Sequence, residues 1–546
     1  MKKQSFLHGA AILAAATLIV KLIGAVYKIP LGNIIGDAGY GYFTTAYDIY
    51  SVLLMISTTG LPVAMSRMIS ESRALGNTAQ IRQIFRTALN VFLVIGIAGS
   101  AGMLLLCAQL SRLATTFDTS WAAIACLAPS VLLICLISAF RGFFQGQSNM
   151  TPTSVSQILE AICKLVIGLG AAWGIMQLTK NADLSSLSQT LGLTVDPVVL
   201  SAGGAILGVT IGCVVSAVYL GMQYRKAVRG ENFRAGEVKS GRTTLYELLA
   251  IAVPITLGSA GLQIINLVDT MVFMRQLTGA AGLAQTAAEN AKGIYNFCQT
   301  IFNLPCAFIP AITISIIPAI TEHLTQKNNR GAKLVEDSSI KLMSLIALPC
   351  AVGLAVLSGP ILQLLRGYEG AQLLTGAQIL SILGVSVVFN SLVLISNAIM
   401  QAHGHVTRPV IHMLIGGVVK VAVNYWLVGI PEVNIVGAAI GTLCCYAVIT
   451  LLNLIALARM NGDHRISPVK VMFKPLLASA AMGFASFGAY RLLLLAIPSQ
   501  KIACLAAVAV GVLVYAVFVL LLKIITYEDC LLLPKGEKIA KVLKIR

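Results

Sequence analysis

A chain of 546 residues that is 57% hydrophobic and only 11% charged, with a mean hydropathy of +0.86, cannot be an ordinary soluble domain; such domains carry about a quarter charged residues. Its formal charge of +18 would suit nucleic acid, yet Lys and Arg sit between apolar runs and form no aromatic-interleaved patch, which excludes that partner. The twelve cysteines lie almost all inside apolar runs such as "CLAPSVLLIC" and "TLCCYAV", with no CxxC pair and no Cys/His cluster, and read as small hydrophobes packed between helices.

A membrane-spanning helix needs about 20 mostly apolar residues. The first predicted helix, near 8–29, imitates a signal peptide with its leading lysines, but its apolar run continues past Lys21 to Ile29 and reads as an uncleaved span. Further helices follow near 44–66, 87–110, 120–140, 153–176 and 198–221. After the basic stretch "RKAVRGENFRAGEVKSGR" a second series occupies 245–274, 293–320, 340–365, 376–400, 410–428 and 434–457, and two last helices fall near 471–496 and 501–525. Fourteen helices with both termini in the cytoplasm place 28 of the 39 Lys and Arg residues on the inner side and 8, among them Lys28 and Lys292, on the outer side. That asymmetry is what the positive-inside rule demands. The basic tail "KGEKIAKVLKIR" is expected on the cytoplasmic side for the same reason.

The two series are related. "FFQGQSNMTPTSVSQILEAICKLVIG" lies over "IMQAHGHVTRPVIHMLIGGVVKVAVN" without a gap, pairing Gln145 with Gln401, Thr151 with Thr407 and Lys164 with Lys420. "GGAILGVTIG" echoes "GAAIGTLCCY" at the start of the next helix in each series. The expected architecture is an all-α polytopic membrane protein: a six-helix bundle over 1–221, a basic cytoplasmic linker at 222–244, a second six-helix bundle over 245–457, and two extra helices with a basic tail over 458–546. Such duplication is characteristic of transporters, with a substrate cavity between the halves.

Ionisable residues inside spans cost about 2.5–3.5 kcal/mol each on insertion scales and mark functional interiors. Here they are Lys21, Glu160, Lys164, Asp269 and Lys420. Glu160 and Lys164 are spaced to share a helix face and to pair, with Gln157 on the same face and Asn424 one turn after Lys420. Asp269 is placed to neutralise Lys21 or Lys420, which leaves cations in surplus and points to an anionic guest. The chain has no GxxxxGK[ST], no HExxH and no GxSxG flanked by triad partners, so neither ATP hydrolysis nor other enzyme chemistry is expected. His403 and His405 in "QAHGHVTRP" read as a solvated turn, and no metal site is expected.

"KLIGAVYKIPLGNIIGDAGYGYFTTAYDIY" with "STTGLPVAMSRMISE", and "RGFFQGQSNMTPTSVSQILE" with "GGVVKVAVNYWLVGIPEVNIVGAAIGT", resemble the stage V sporulation protein B group of the multidrug/oligosaccharidyl-lipid/polysaccharide flippase superfamily, similar to the MurJ-type lipid II flippases. The resemblance implies a V-shaped pair of bundles that alternates between inward-open and outward-open states. It implies a cargo of undecaprenyl-diphosphate-linked sugar, moved from the inner to the outer leaflet of the bacterial cytoplasmic membrane, with a groove for the lipid tail on the last two helices. MurJ-type proteins of Gram-negative bacteria carry cavity arginines in helices one, two and eight. This chain keeps a basic residue in helix one as Lys21, with Lys28 two turns on, and has no arginine in helix eight. Diphosphate binding would then rest on Lys21, Lys28, Lys164 and Lys420, with Arg67 and Arg141 at the cytoplasmic mouth. No cofactor is implied; coupling would be to the membrane potential, H+ or Na+, the partners would be the lipid-linked substrate, the bilayer and cell-wall synthesis enzymes, and the chain would act as a monomer. A cation-coupled multidrug exporter, using Glu160 and Asp269 to exchange H+ or Na+, is the alternative, and a scaffold for wall-synthesis enzymes a third.

Overall fold

A computed structural model describes residues 6–229, 237–460, 468–496 and 499–524. The basic tail from 535, the N-terminal lysines and the middle of the basic linker lie outside the described residues. Among those described, the chain is helical without a strand, and it divides into two compact units, Met1–Asn296 and Phe297–Arg546.

The first unit opens with α1 (Phe6–Thr58), which merges the first predicted helix with most of the second. Its continuity is broken at Gly36, whose φ of 70° and ψ of −175° suit only a residue without Cβ. There follow α2 (Gly60–Ala74), α3 (Thr78–Leu105), α4 (Cys107–Thr115), α5 (Trp121–Gly146) and α6 (Thr151–Cys163). Asn77 caps α3 by accepting the Gln80 amide at 3.1 Å. At Lys164 the helix widens into a π-helical turn, Lys164–Gly168, before continuing as α7 (Leu169–Thr179). α8 (Ser185–Leu191), α9 (Pro197–Arg229) and α10 (Gly241–Thr278) come next, then α11 (Gln285–Cys306). α10 packs on α1, α2, α3 and α4, so the first unit includes predicted helix seven. The unit boundary falls inside α11 and not in the basic linker, a different partition from the one the repeat suggests.

The second unit holds α12 (Ile309–Thr325), α13 (Asn329–Val356), α14 (Ser358–Arg366), α15 (Gly370–Ala402), α16 (Thr407–Val428), α17 (Val436–Met460), α18 (Pro468–Ala496) and α19 (Gln500–Leu521). Twelve of the described helices are long and apolar enough to cross a membrane. The predicted eighth span, 293–320, is divided between α11 and α12, and neither half is among those twelve.

The repeat is visible as packing. In the first unit α9 lays Gly204, Gly208 and Gly212 against the α6–α7 segment. A Cβ added at each would lie 3.1 Å from the Ala171 carbonyl oxygen, 2.5 Å from the Gly168 Cα and 3.0 Å from the Glu160 carbonyl oxygen. In the second unit a Cβ on Gly437 would lie 2.9 Å from the Leu427 Cβ, and one on Gly441 3.3 Å from the Lys420 carbonyl oxygen and against the Asn424 side chain. A Cβ on Gly416 would lie 3.1 Å from the Cys445 carbonyl oxygen. In the register that lays Lys164 over Lys420, Ala171, Gly168 and Glu160 fall on Leu427, Asn424 and Gly416. In the separate register that lays Gly204 over Gly437, the three facing positions fall on Gly437, Gly441 and Cys445. Close backbone approach through small residues is how helices associate where lipid offers no hydrophobic drive, and here the same three-point seam is built twice.

Candidate functional site

The first unit contains a cavity of about 490 Å³ walled by α1, α5, α6, the π-turn and α9. Its walls carry Lys21, Arg141, Gln157, Glu160 and Lys164 among tyrosines Tyr27, Tyr47 and Tyr50 and aliphatic side chains. Five of the ten residues singled out from the sequence therefore meet around one space.

Their pairing differs from the sequence expectation. Glu160 does not neutralise Lys164: its Oε1 accepts from Arg141 Nη2 at 2.7 Å, while Arg141 Nε donates to the Ser156 hydroxyl at 3.0 Å. Arg141 is thus no free cation at a mouth but an ion-paired wall residue reaching from α5 to α6. Lys164, released from Glu160, turns its ammonium to aromatic faces, 4.6 Å from the Tyr47 ring centroid, 4.9 Å from Tyr27 and 5.7 Å from Phe43. Among the described residues no carboxylate lies within ion-pair distance of Lys164 or Lys21, so Asp269 does not neutralise Lys21. Gln157 Oε1 is buried on the cavity wall without a hydrogen-bond partner among the described residues.

The other candidates lie elsewhere. Lys28, half-buried in α1, is outside the cavity lining. Arg67 is exposed and pairs with Glu71 at 3.1 Å, one turn along α2. Asp269 is buried in α10, next to Thr270, whose hydroxyl donates to Asp48 Oδ2 at 3.2 Å. Lys420 and Asn424 belong to the second unit, where Asn424 is fully buried against Gly441 of α17.

A second polar cluster in the first unit has no counterpart in the sequence reading. Lys292, expected in an outer segment, is 1% exposed in α11, donates to the Thr45 hydroxyl at 2.5 Å and lies 3.8 Å from Asp48 Oδ2. Glu289 accepts from the Tyr42 hydroxyl at 2.7 Å and from the Thr119 hydroxyl at 2.5 Å, and Asn296 donates to the Thr44 hydroxyl at 2.6 Å. Helix eight thus does carry a buried basic residue, as lysine. Glu289, Lys292 and Asn296 recur every three to four residues, the helical signal that could have found this face. His403, expected in a solvated turn, places Nε2 2.7 Å from Oε1 of buried Glu336 beside a smaller cavity of about 180 Å³.

Comparison with known proteins decides the family. The profile of the family described as polysaccharide biosynthesis protein matches residues 6–324, and the MatE profile matches residues 254–426. The chain belongs to the polysaccharide biosynthesis protein family. It lies in the flippase group of the multidrug/oligosaccharidyl-lipid/polysaccharide superfamily and is a multi-pass membrane protein. Its relatives in Bacillus subtilis include the membrane protein YabM, 28% identical over all of this chain and 98% of that one, and stage V sporulation protein B, 23% identical over 98% of each. The lipid II flippase MurJ of the same organism is 26% identical over 88% of each chain. Among solved structures, a MurJ in an inward closed conformation superposes with a TM-score of 0.70 over 95% of this chain and all of that one, at 15% identity. An inward-facing transporter of the MATE family superposes with a TM-score of 0.64 over 80% of this chain and 93% of that one, at 16% identity. Both share the all-helical fold of this family.

Proposed function

We propose that this protein is a flippase that carries an undecaprenyl-diphosphate-linked sugar precursor, lipid II or a related unit, from the inner to the outer leaflet of the bacterial cytoplasmic membrane. The observation that carries this reading is that two cations, Lys21 from α1 and Lys164 from the π-turn, line one cavity, neither paired with a carboxylate among the described residues. A diphosphate is the anion such a wall suits, the polar wall groups Gln157 and Tyr50 suit a sugar, and the polyprenyl chain needs only lipid. The family membership and the MurJ relative support the same class of cargo. The Lys and Arg asymmetry supports a topology with both termini in the cytoplasm. The driving force is the membrane potential, worth about 2.3 kcal/mol per charge per 100 mV for an anion leaving a negative interior, with H+ or Na+ exchange as the competing source.

The test is complementation of a strain depleted of its lipid II flippase, together with flipping of labelled lipid II by purified protein in vesicles. The wild-type chain is expected to restore growth and to flip the lipid, and Lys164→Ala is expected to abolish both while the protein still folds. Failure of the wild-type chain in both assays, with drug resistance lost on deleting its gene, would establish the multidrug-exporter alternative. The commitment of Glu160 to Arg141 weighs against that alternative, because a coupling acid must be free to exchange its cation.

A further inference from the structure

Lys164 is held in the cavity wall by rings. Its Nζ lies within the roughly 6 Å at which an aromatic face attracts a cation, for three rings at once. The rings are themselves fixed. Tyr27 is fully buried and its hydroxyl donates to the Ala205 carbonyl at 3.1 Å, and Phe43 is 1% exposed. Tyr27 and Phe43 stand 5.9 Å apart, Phe43 and Tyr47 4.9 Å. Tyr27 precedes the Gly36 break in α1, whereas Phe43 and Tyr47 follow it one helical turn apart, so both arms of the broken helix contribute to the cage. Directly beneath it, Gly168 closes the π-turn with no space for a side chain, since an added Cβ would lie 3.2 Å from the Tyr27 ring and hydroxyl and 2.9 Å from the Ala205 carbonyl oxygen.

The means of holding an ammonium in an apolar wall decides what it can do next. A carboxylate would cancel its charge, and an anionic guest would have to displace that carboxylate first. Ring faces stabilise the cation and leave its charge intact. A lysine already confined to one orientation also loses less rotamer freedom when a ligand arrives. The acid nearest in sequence, Glu160, is withdrawn by Arg141 at 2.7 Å.

We propose that Tyr27, Phe43 and Tyr47 are positioning residues that hold the Lys164 ammonium, charged and aimed, as the receptor for the diphosphate of a polyprenyl-linked cargo. This rests on the cargo reading above and adds to it the groups that prepare the site.

The test uses the full chain purified in a non-ionic detergent, with farnesyl diphosphate as a soluble polyprenyl diphosphate probe. Position 47 is converted from Tyr47→Phe, the reference, to phenylalanines bearing one, two and three ring fluorines introduced by nonsense suppression. Fluorination drains the ring's negative face while keeping its shape, so a purely structural ring would not register it. Affinity measured calorimetrically is expected to fall stepwise, by roughly threefold to tenfold across the series, with an unchanged melting temperature. In parallel, the carbon signal of dimethylated Lys164, assigned by its loss in Lys164→Arg, is expected to show a ring-current shift that decreases when the probe is added. A flat fluorine series, with binding still lost in Lys164→Ala, would overturn the cage and leave the cargo reading standing. Undiminished binding and transport by Lys164→Ala would overturn the site for both.

Discussion

The two copies of one helix pair show how a shared scaffold comes to carry different chemistry. α6–α7 against α9 and α16 against α17 meet at the same three points, yet their polar contents are opposite in kind. In the first unit an ion pair, Arg141 with Glu160, spans α5 and α6 at 2.7 Å, and the helix widens into a π-turn at Lys164. In the second unit the register of the repeat puts Asn397 in the place of Arg141 and Gly416 in the place of Glu160. The polar network there is built from neutral side chains and a histidine. His412 Nδ1 lies 2.7 Å from Asn453 Oδ1, and Asn453 Nδ2 donates to the Ser396 hydroxyl at 2.8 Å and to Asn397 Oδ1 at 2.9 Å. α16 stays α-helical through Lys420, from Thr407 to Val428. Duplication preserved the seam, which any close-packed helix pair in lipid requires, and left the groups beside it free to diverge.

The sharpest way to break this comparison is to remove the charge from one side only. Arg141→Met is expected to destabilise the protein by about 3 kcal/mol, because it strands Glu160 in a partly buried wall. The double variant Arg141→Met with Glu160→Met is expected to recover most of that loss, which a thermal-unfolding double-mutant cycle in detergent measures. Equal melting temperatures for the single and double variants would mean that the pair does not act as a unit. The next largest effect tests the seam. Gly208→Ala drives a methyl group into the backbone at Gly168 and is expected to cost about 2 kcal/mol. Gly441→Ala meets the Asn424 side chain, which can be removed, so Asn424→Ala is expected to relieve the matched substitution in the second unit. Unfolding midpoints of the three variants check this directly.

A smaller loss, about 1 kcal/mol, is expected for Asn453→Ala, whose neutral network holds hydrogen bonds without a charge to strand. A loss as large as that of Arg141→Met would erase the distinction between the two copies. The smallest effect belongs to Arg67→Ala. Its exposed pair with Glu71 is worth at most about 0.5 kcal/mol, and because Arg67 lies off the cavity wall, farnesyl diphosphate affinity is expected to stay within twofold of wild type.

Several features were readable from residue order because they depend on neighbours along the chain. Apolar runs announced the spans, and the gapless match around Lys164 and Lys420 announced the repeat. Helical periodicity put Gln157, Glu160 and Lys164 on one face, whereas the meeting of Lys21 with that face is a product of the fold. Lys292 is hidden from a local reading because the apolar run begins only near 293, whereas α11 begins at Gln285 and turns the residue inward. His403 escaped because its partner Glu336 lies 67 positions away and is invisible to any local pattern. The Gly36 break gave no warning either, since glycine is common in these helices and only the backbone reveals a positive φ.

Composition and periodicity alone determined that this protein crosses the membrane repeatedly as helices and carries lysines where lipid-facing residues would be expected. Those properties are sums over adjacent residues, since the cost of placing each side chain in hydrocarbon accumulates along the chain regardless of what lies across from it. Only the tertiary structure decided that Glu160 would belong to Arg141, that Lys164 would lean on three rings, and that Lys292 would be buried. A charge in an apolar interior takes the best partner within a few ångströms, and folding brings that partner from distant parts of the chain.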